Sequence, residues 1–183
     1  MAAQVHTIDV LPKIGNGMID SRGESVRRQL VSDHGINTKE VRSTLGYLVK
    51  GDFTADDLTK AASELFSDPI IEDEKINGTF IGTSHFQTDP DLTILVGFKP
   101  GVTDNRAQAA LDGLQTLFPD KEEMQVSTTT GYMFWGIPSN TDVNWLCNQL
   151  HNPMIERASI SHDGPAIIGF PERPEVIYQP PAN

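Results

Sequence analysis

Val41 to Gly51 reads V-R-S-T-L-G-Y-L-V-K-G, and 85 residues later Val126 to Gly136 reads V-S-T-T-T-G-Y-M-F-W-G. Both are rich in β-branched and aromatic residues, both carry Gly-Tyr at the same place, and both end in glycine, so each reads as a strand. Upstream, K-I-G-N-G-M-I-D (Lys13 to Asp20) is answered by K-P-G-V-T-D (Lys99 to Asp104). Downstream, L-F-S-D-P-I-I-E-D is answered by L-H-N-P-M-I-E-R, which pairs Pro69, Ile71 and Glu72 with Pro153, Ile155 and Glu156. Three matched blocks in one order, with offsets between 84 and 86, mark an internal duplication.

Working outward, Val5 to Val10 alternates as a strand and places Ile8 and Val10 at the positions of Ile94 and Val96. A glycine turn follows in each copy. The spacing of Ser21 and Glu24 then predicts a capping box for a helix with Val26 and Leu30 on one face. In the second copy Thr103 or Asp104 caps a helix that buries Ala107, Ala110, Leu111, Leu114 and Phe118. After each Gly-Tyr strand a second helix is expected. One starts at Thr54 and buries Leu58, Ala61, Ala62, Leu65 and Phe66; the other starts near Asn140 and buries Val143, Leu146, Cys147 and Leu150. Short strands, Ile70 to Asp73 and Met154 to Ile160, close the units.

The expected fold is α+β: two ferredoxin-like units of order β-α-β-β-α-β, packed as an intrachain pseudo-dimer in which each covers the other's open sheet face. The expected boundaries are 1–78 for the first repeat, 79–91 for a polar connector, 92–164 for the second repeat and 165–183 for a Pro-rich extended tail with Pro171, Pro174, Pro180 and Pro181. Units this small have thin cores and gain from mutual cover.

Composition narrows the function classes. Over 183 residues, 14 basic groups stand against 25 acidic ones, a net charge of −11, which argues against binding nucleic acid or an anionic membrane surface. Between Asp52 and Glu74, eight acids stand against the single base Lys60. This reads as a solvated helix face, the alternative being a patch for a basic partner. The one cysteine, Cys147, excludes an intrachain disulfide, and neither a membrane-span-length apolar run nor a signal-peptide pattern is present, so a cytoplasmic protein is expected.

Cys147 matches Ala62 in the repeat, a core position, and would be a nucleophile only beside a histidine or a helix N-terminus. His6, His34, His85, His151 and His162 form no metal-ligand spacing. The glycine turns at Gly15, Asn16 and Gly17 and at Pro100 and Gly101 match no nucleotide-binding motif; if an anion binds there, Lys13 and Lys99 are its contacts. Gly46, Tyr47, Gly131 and Tyr132 are candidates for the interface between repeats, through a bulge or a close backbone approach. His85 and Phe86 in the connector are candidate partner contacts. No catalytic, cofactor-binding or metal-binding residue is expected.

The opening strand with Asp20 or Asp104 before a helix of small and aliphatic residues, the V-R-S-T-L-G-Y strand and the L-F-S-D-P-I-I-E-D helix end together resemble the PurS family, the small subunit of phosphoribosylformylglycinamidine synthase of purine biosynthesis. F-K-P-G-V-T-D-N, Phe98 to Asn105, looks like the start of the PurS-like region in fused, large forms of that synthase. The resemblance covers both repeats, about Val5 to Ile160. It implies a tandem PurS-like module, either a stand-alone subunit or the N-terminal piece of a longer chain. It also implies a scaffold without an active site of its own, bridging a PurL-type synthetase and a PurQ-type glutaminase while ammonia passes between them. Pairing of modules would then occur within one chain, with further self-association left open. The rival reading is a tandem ACT-like regulatory protein that binds a small molecule where the first strand of each unit turns into its helix, at Gly15 and Gly101.

Overall fold

A computed structural model describes residues 4–162 and 164–172. Among the described residues, six strands and four helices follow the order β1 (Gln4–Pro12), α1 (Ser21–His34), β2 (Glu40–Gly51), α2 (Ala55–Ala61), β3 (Glu72–Ile76), β4 (Leu92–Phe98), α3 (Asn105–Leu117), β5 (Gln125–Trp135), α4 (Val143–Leu150) and β6 (Glu156–Ser161). Helix α2 runs on into a π-helical turn, Ala62–Phe66. All strands belong to one antiparallel sheet of order β3-β1-β2-β5-β4-β6. The two halves therefore have the same order, β-α-β-α-β, and meet at the centre of the sheet through the two Gly-Tyr strands.

Two expectations change here. Each half has three strands rather than four, because the Gly-Tyr block is a single strand: β2 pairs with β5 from Glu40 opposite Trp135 to Lys50 opposite Gln125 without a break in register. The halves join edge to edge, and neither lies over the other's open face. A long strand with an unpaired edge is better satisfied by a matching strand, which removes eleven residues of exposed edge from each half. Leu45 and Thr130, matched in the repeat, are also directly opposite each other at the seam, so the local twofold axis passes between them.

Strand alternation sends Ile8, Val10, Val41, Leu45, Tyr47 and Val49 of the first half, with Ile94, Val96, Tyr132 and Phe134 of the second, to the helix side. The helices cover this side crosswise. One cluster joins β1, β2 and α2 to Ala110, Leu114 and Phe118 from α3 and its end. The other joins β4, β5 and α4 to Leu30 from α1. Each half's first helix thus completes the other half's core.

Helix starts depart from expectation in two places. Asp20 caps α1, with Ser21 the first helical residue, and Asp142 caps α4, two residues beyond the expected start. In both, a carboxylate outcompetes the neighbouring hydroxyl or amide for the free N–H groups. Thr54 and Asp57 do form the expected capping box, and Asp104 caps α3. Leu65, expected in the core, is 37% exposed, because the π-helical turn rotates it outward toward Gly113 of α3.

The strands β3 and β6 begin at Glu72 and Glu156, after the apolar residues expected to start them. Ile70, Ile71, Met154 and Ile155 are exposed in turns. The Asp68 and Asn152 side chains accept from the N–H groups of Ile70 and Met154 at 2.9 and 3.0 Å, and Glu72 and Glu156 accept from the N–H groups of Asp68 and Asn152 at 2.9 and 2.6 Å. These local bonds hold each chain in a turn.

The open face is covered in part by the connector. Phe80 is buried, and with Leu11, Met133, Trp135, Ile81 and Phe86 it forms a third apolar cluster. The connector, expected to be polar, is therefore anchored by its few aromatic residues. The segment after β6 also crosses this face, with Ile168 buried. Pro174, Pro180 and Pro181 of the expected extended tail lie outside the described residues. Among the described residues, no helix is long and apolar enough to cross a membrane.

Candidate functional site

The matched residues of the repeat make matched contacts. Lys13 Nζ donates to the Pro69 carbonyl at 2.6 Å, and Lys99 Nζ donates to the Pro153 carbonyl at 2.5 Å. Both lysines, expected as anion contacts, tie the end of a first strand to the turn before a third one. The G-N-G turn closes on itself, the Gly15 N–H reaching the Met18 carbonyl at 3.1 Å. Asp20 accepts from the Gly23 N–H at 2.8 Å, from the Ser43 hydroxyl at 2.8 Å and from the Ser43 N–H. Asp104 repeats the pattern with the Ala107 N–H at 2.9 Å and the Thr128 N–H and hydroxyl at 2.9 and 2.8 Å. Each aspartate both caps a helix and fastens it to a seam strand.

At the seam, Gly46 lies opposite Thr129 and Gly131 opposite Thr44. The threonine hydroxyls occupy the space where a side chain on either glycine would stand. The glycines thus serve a close approach, with no bulge. Tyr47 and Tyr132 are half-buried on the helix side, and burial pushes both phenols up. Tyr47 packs on Phe66 at 4.3 Å between ring centres. Arg22 and Arg106, also matched, reach the seam from α1 and α3: the first donates to the Thr130 hydroxyl at 3.4 Å and the second to the Thr129 carbonyl at 2.9 Å.

His85 is exposed, with Nδ1 3.0 Å from the Thr83 hydroxyl and Nε2 3.8 Å from Asp73. Phe86 is half-buried against Trp135, 5.0 Å between ring centres, with Arg42 at 5.9 Å. Cys147 is buried, and desolvation pushes its thiol up. His151 Nδ1 is 3.7 Å from the sulfur but 2.7 Å from the Cys147 carbonyl. A carbonyl only accepts, so that nitrogen carries a proton and cannot act as base toward the thiol. Among the described residues, no three His, Cys, Asp or Glu side chains converge on a metal position.

The open face of the sheet holds a cavity of about 360 Å³. Its floor comes from four strands: Thr7 and Asp9 of β1, Thr44 and Leu48 of β2, Thr129, Gly131 and Met133 of β5, and Thr93 and Leu95 of β4. Its walls are the connector, at Asn77 to Ile81, and the segment Pro165 to Ile168 after β6. Thr93 fixes the second wall, donating to the Gly164 carbonyl at 2.8 Å and accepting from the Ala166 N–H at 3.0 Å.

Among the described residues lining this cavity, Asp9 alone is charged. Burial pushes its carboxyl up to about 6. Lys75 stands directly opposite on β3, but its side chain lies over Gly78, and the two form no ion pair within 4 Å. Among the described residues the Asp9 carboxylate takes no hydrogen bond.

Sequence reasoning missed this site although a signal was present. Under the repeat, Thr7 matches Thr93, Thr44 matches Thr129 and Leu48 matches Met133, so the floor is nearly twofold. Asp9 breaks the match, its counterpart in the second copy being Leu95. A second cavity, of about 660 Å³, lies beside the Gly101 turn, between Lys50, Lys99, Asp104 and Phe170. No family model and no curated protein matches the chain.

Proposed function

We propose that this chain is a non-catalytic scaffold, a tandem PurS-like module that bridges the synthetase and glutaminase components of phosphoribosylformylglycinamidine synthase. The observation that carries the reading is that the residues bearing the resemblance do the same work twice. Lys13 and Lys99 staple first strand to third, Asp20 and Asp104 staple first helix to Gly-Tyr strand, and the two Gly-Tyr strands pair with each other. Motif residues spent on holding a paired module together suit a part whose task is to present surfaces. In this reading each half is a PurS-type unit, a three-strand variant of the ferredoxin-like order, and the seam is the place where separate modules would pair. His85 and the exposed rim of the connector are available to a partner, whereas Phe86 contributes mainly to internal packing.

The test is reconstitution. With matching synthetase and glutaminase, this chain is expected to raise glutamine-dependent formation of formylglycinamidine ribonucleotide, and alone to hydrolyse neither ATP nor glutamine. Equal coupling without the chain, together with no binding to either component at micromolar concentration, removes the scaffold reading.

The cavity beside the Gly101 turn favours a second reading, an ACT-like sensor that holds a small molecule at the strand-to-helix turn. A thermal-shift screen with amino acids separates the two: a saturable rise in Tm lost in a Lys99→Ala variant supports the sensor.

A further inference from the structure

We propose that the open-face cavity is a binding site for a small organic cation, with a primary ammonium group on Asp9 and an apolar body against Leu48, Met133, Phe80 and Ile168. A cavity of about 360 Å³ is within the range of small-molecule sites, and its composition is typical of one: apolar walls with a few placed polar groups. Asp9 supplies the only charge among the described lining residues, and the neighbouring threonines supply hydroxyls that accept from N–H groups.

The break in symmetry selects the residue. A leucine is compatible with this sheet position, since Leu95 occupies the matched place in β4. A carboxylate there, half-buried and without a hydrogen bond among the described residues, costs folding free energy that a leucine would not. Lys75, the nearest cross-strand charge, is turned away over Gly78, and further along β3 Asp73 is engaged with Lys13 and His85. An uncompensated carboxylate facing a cavity is satisfied by a ligand that brings both charge and donors, and a primary ammonium does so.

The seam explains how the site is formed. Gly46 and Gly131 carry no side chains, so the Thr129 and Thr44 hydroxyls and the Asp9 carboxylate turn over bare backbone at the centre of the floor. A side chain on either glycine would displace a hydroxyl.

Benzylamine is the probe, titrated calorimetrically against the whole chain at pH 7.5, with benzyl alcohol as the uncharged comparator. The expected result is saturable binding of the amine at least about tenfold tighter than the alcohol, and a loss of about tenfold or more in both Asp9→Asn and Asp9→Leu. Both variants are first checked by thermal melt, and Asp9→Leu is expected to melt above the parent chain. Binding should also weaken as pH falls through about 6, where Asp9 takes up its proton. No binding of benzylamine by the parent chain up to about 10 mM overturns the proposal. So does equal binding of amine and alcohol, or unchanged binding in whichever Asp9 variant folds. The measurement uses no synthetase or glutaminase, so its failure leaves the scaffold reading standing, and the reverse holds.

Discussion

At Asp20 one buried carboxylate takes three hydrogen bonds from two elements, α1 and β2, whereas Asp142 caps α4 from an exposed position and serves only the N–H groups of Asn144 and Trp145. Asp20→Ala strands buried donors as well as removing a cap, so it should cost about 3 kcal/mol, against about 1 kcal/mol for Asp142→Ala, in urea melts of both variants. Gly46→Ala forces the Thr129 side chain aside and should cost about 2 kcal/mol. Adding Thr129→Ala should recover part of that loss, a coupling of about 1 kcal/mol or more that two independent sites would not give. Asp9 sets a pH dependence of opposite sign to that of a paired carboxylate. Its folded pKa, about 6, lies above the ordinary aspartate value, so the folded chain binds more protons through that window. Its contribution is most favourable below about pH 4, is lost as pH rises to about 6, and is flat above. The stability difference between the parent chain and Asp9→Asn should therefore move against the parent by about 2 kcal/mol from pH 4 to 7.

At the scale of elements, the helices repay a crosswise reading. Leu30 of α1 and Leu114 of α3 are buried in clusters built mainly by the other half. Leu30→Ala and Leu114→Ala should each cost about 3 kcal/mol and should each lower the single melting transition of the whole chain. Two separated transitions, with one unmoved in each variant, would show that the halves are independent. The strands, the helix faces and the caps at Thr54 and Asp104 were legible in the sequence, because alternation, helical spacing and capping chemistry are local. What covers an apolar face is not local. The spacing of Ala107, Ala110 and Leu114 says that α3 has a buried side, and says nothing of whose core receives it. The same limit applies to β3 and β6: Ile70 and Met154 look like strand residues, but side-chain bonds from Asp68 and Asn152 claim their backbone first. Asp9 was legible only once the repeat was combined with strand alternation, which places it on the open face at a position that the second copy fills with the hydrophobic Leu95.

For the whole molecule, one sheet with exchanged helices means that the duplication is not two beads on a string. The repeat predicts two units, and the seam joins them through an eleven-pair ladder with the twofold axis between Leu45 and Thr130. Each half without the other would expose the long edge of a Gly-Tyr strand and an uncovered core, a combination that favours unfolding or pairing with any similar edge. The central claim, that the halves form one cooperative body, is tested most directly by opening the chain in the connector after Gly82 and producing the two pieces separately. Circular dichroism and sedimentation at equal concentrations should show no folded monomer of either piece, and mixing them should yield a folded one-to-one complex. A piece that is monomeric, melts cooperatively by itself and is unchanged by adding the other would contradict the account.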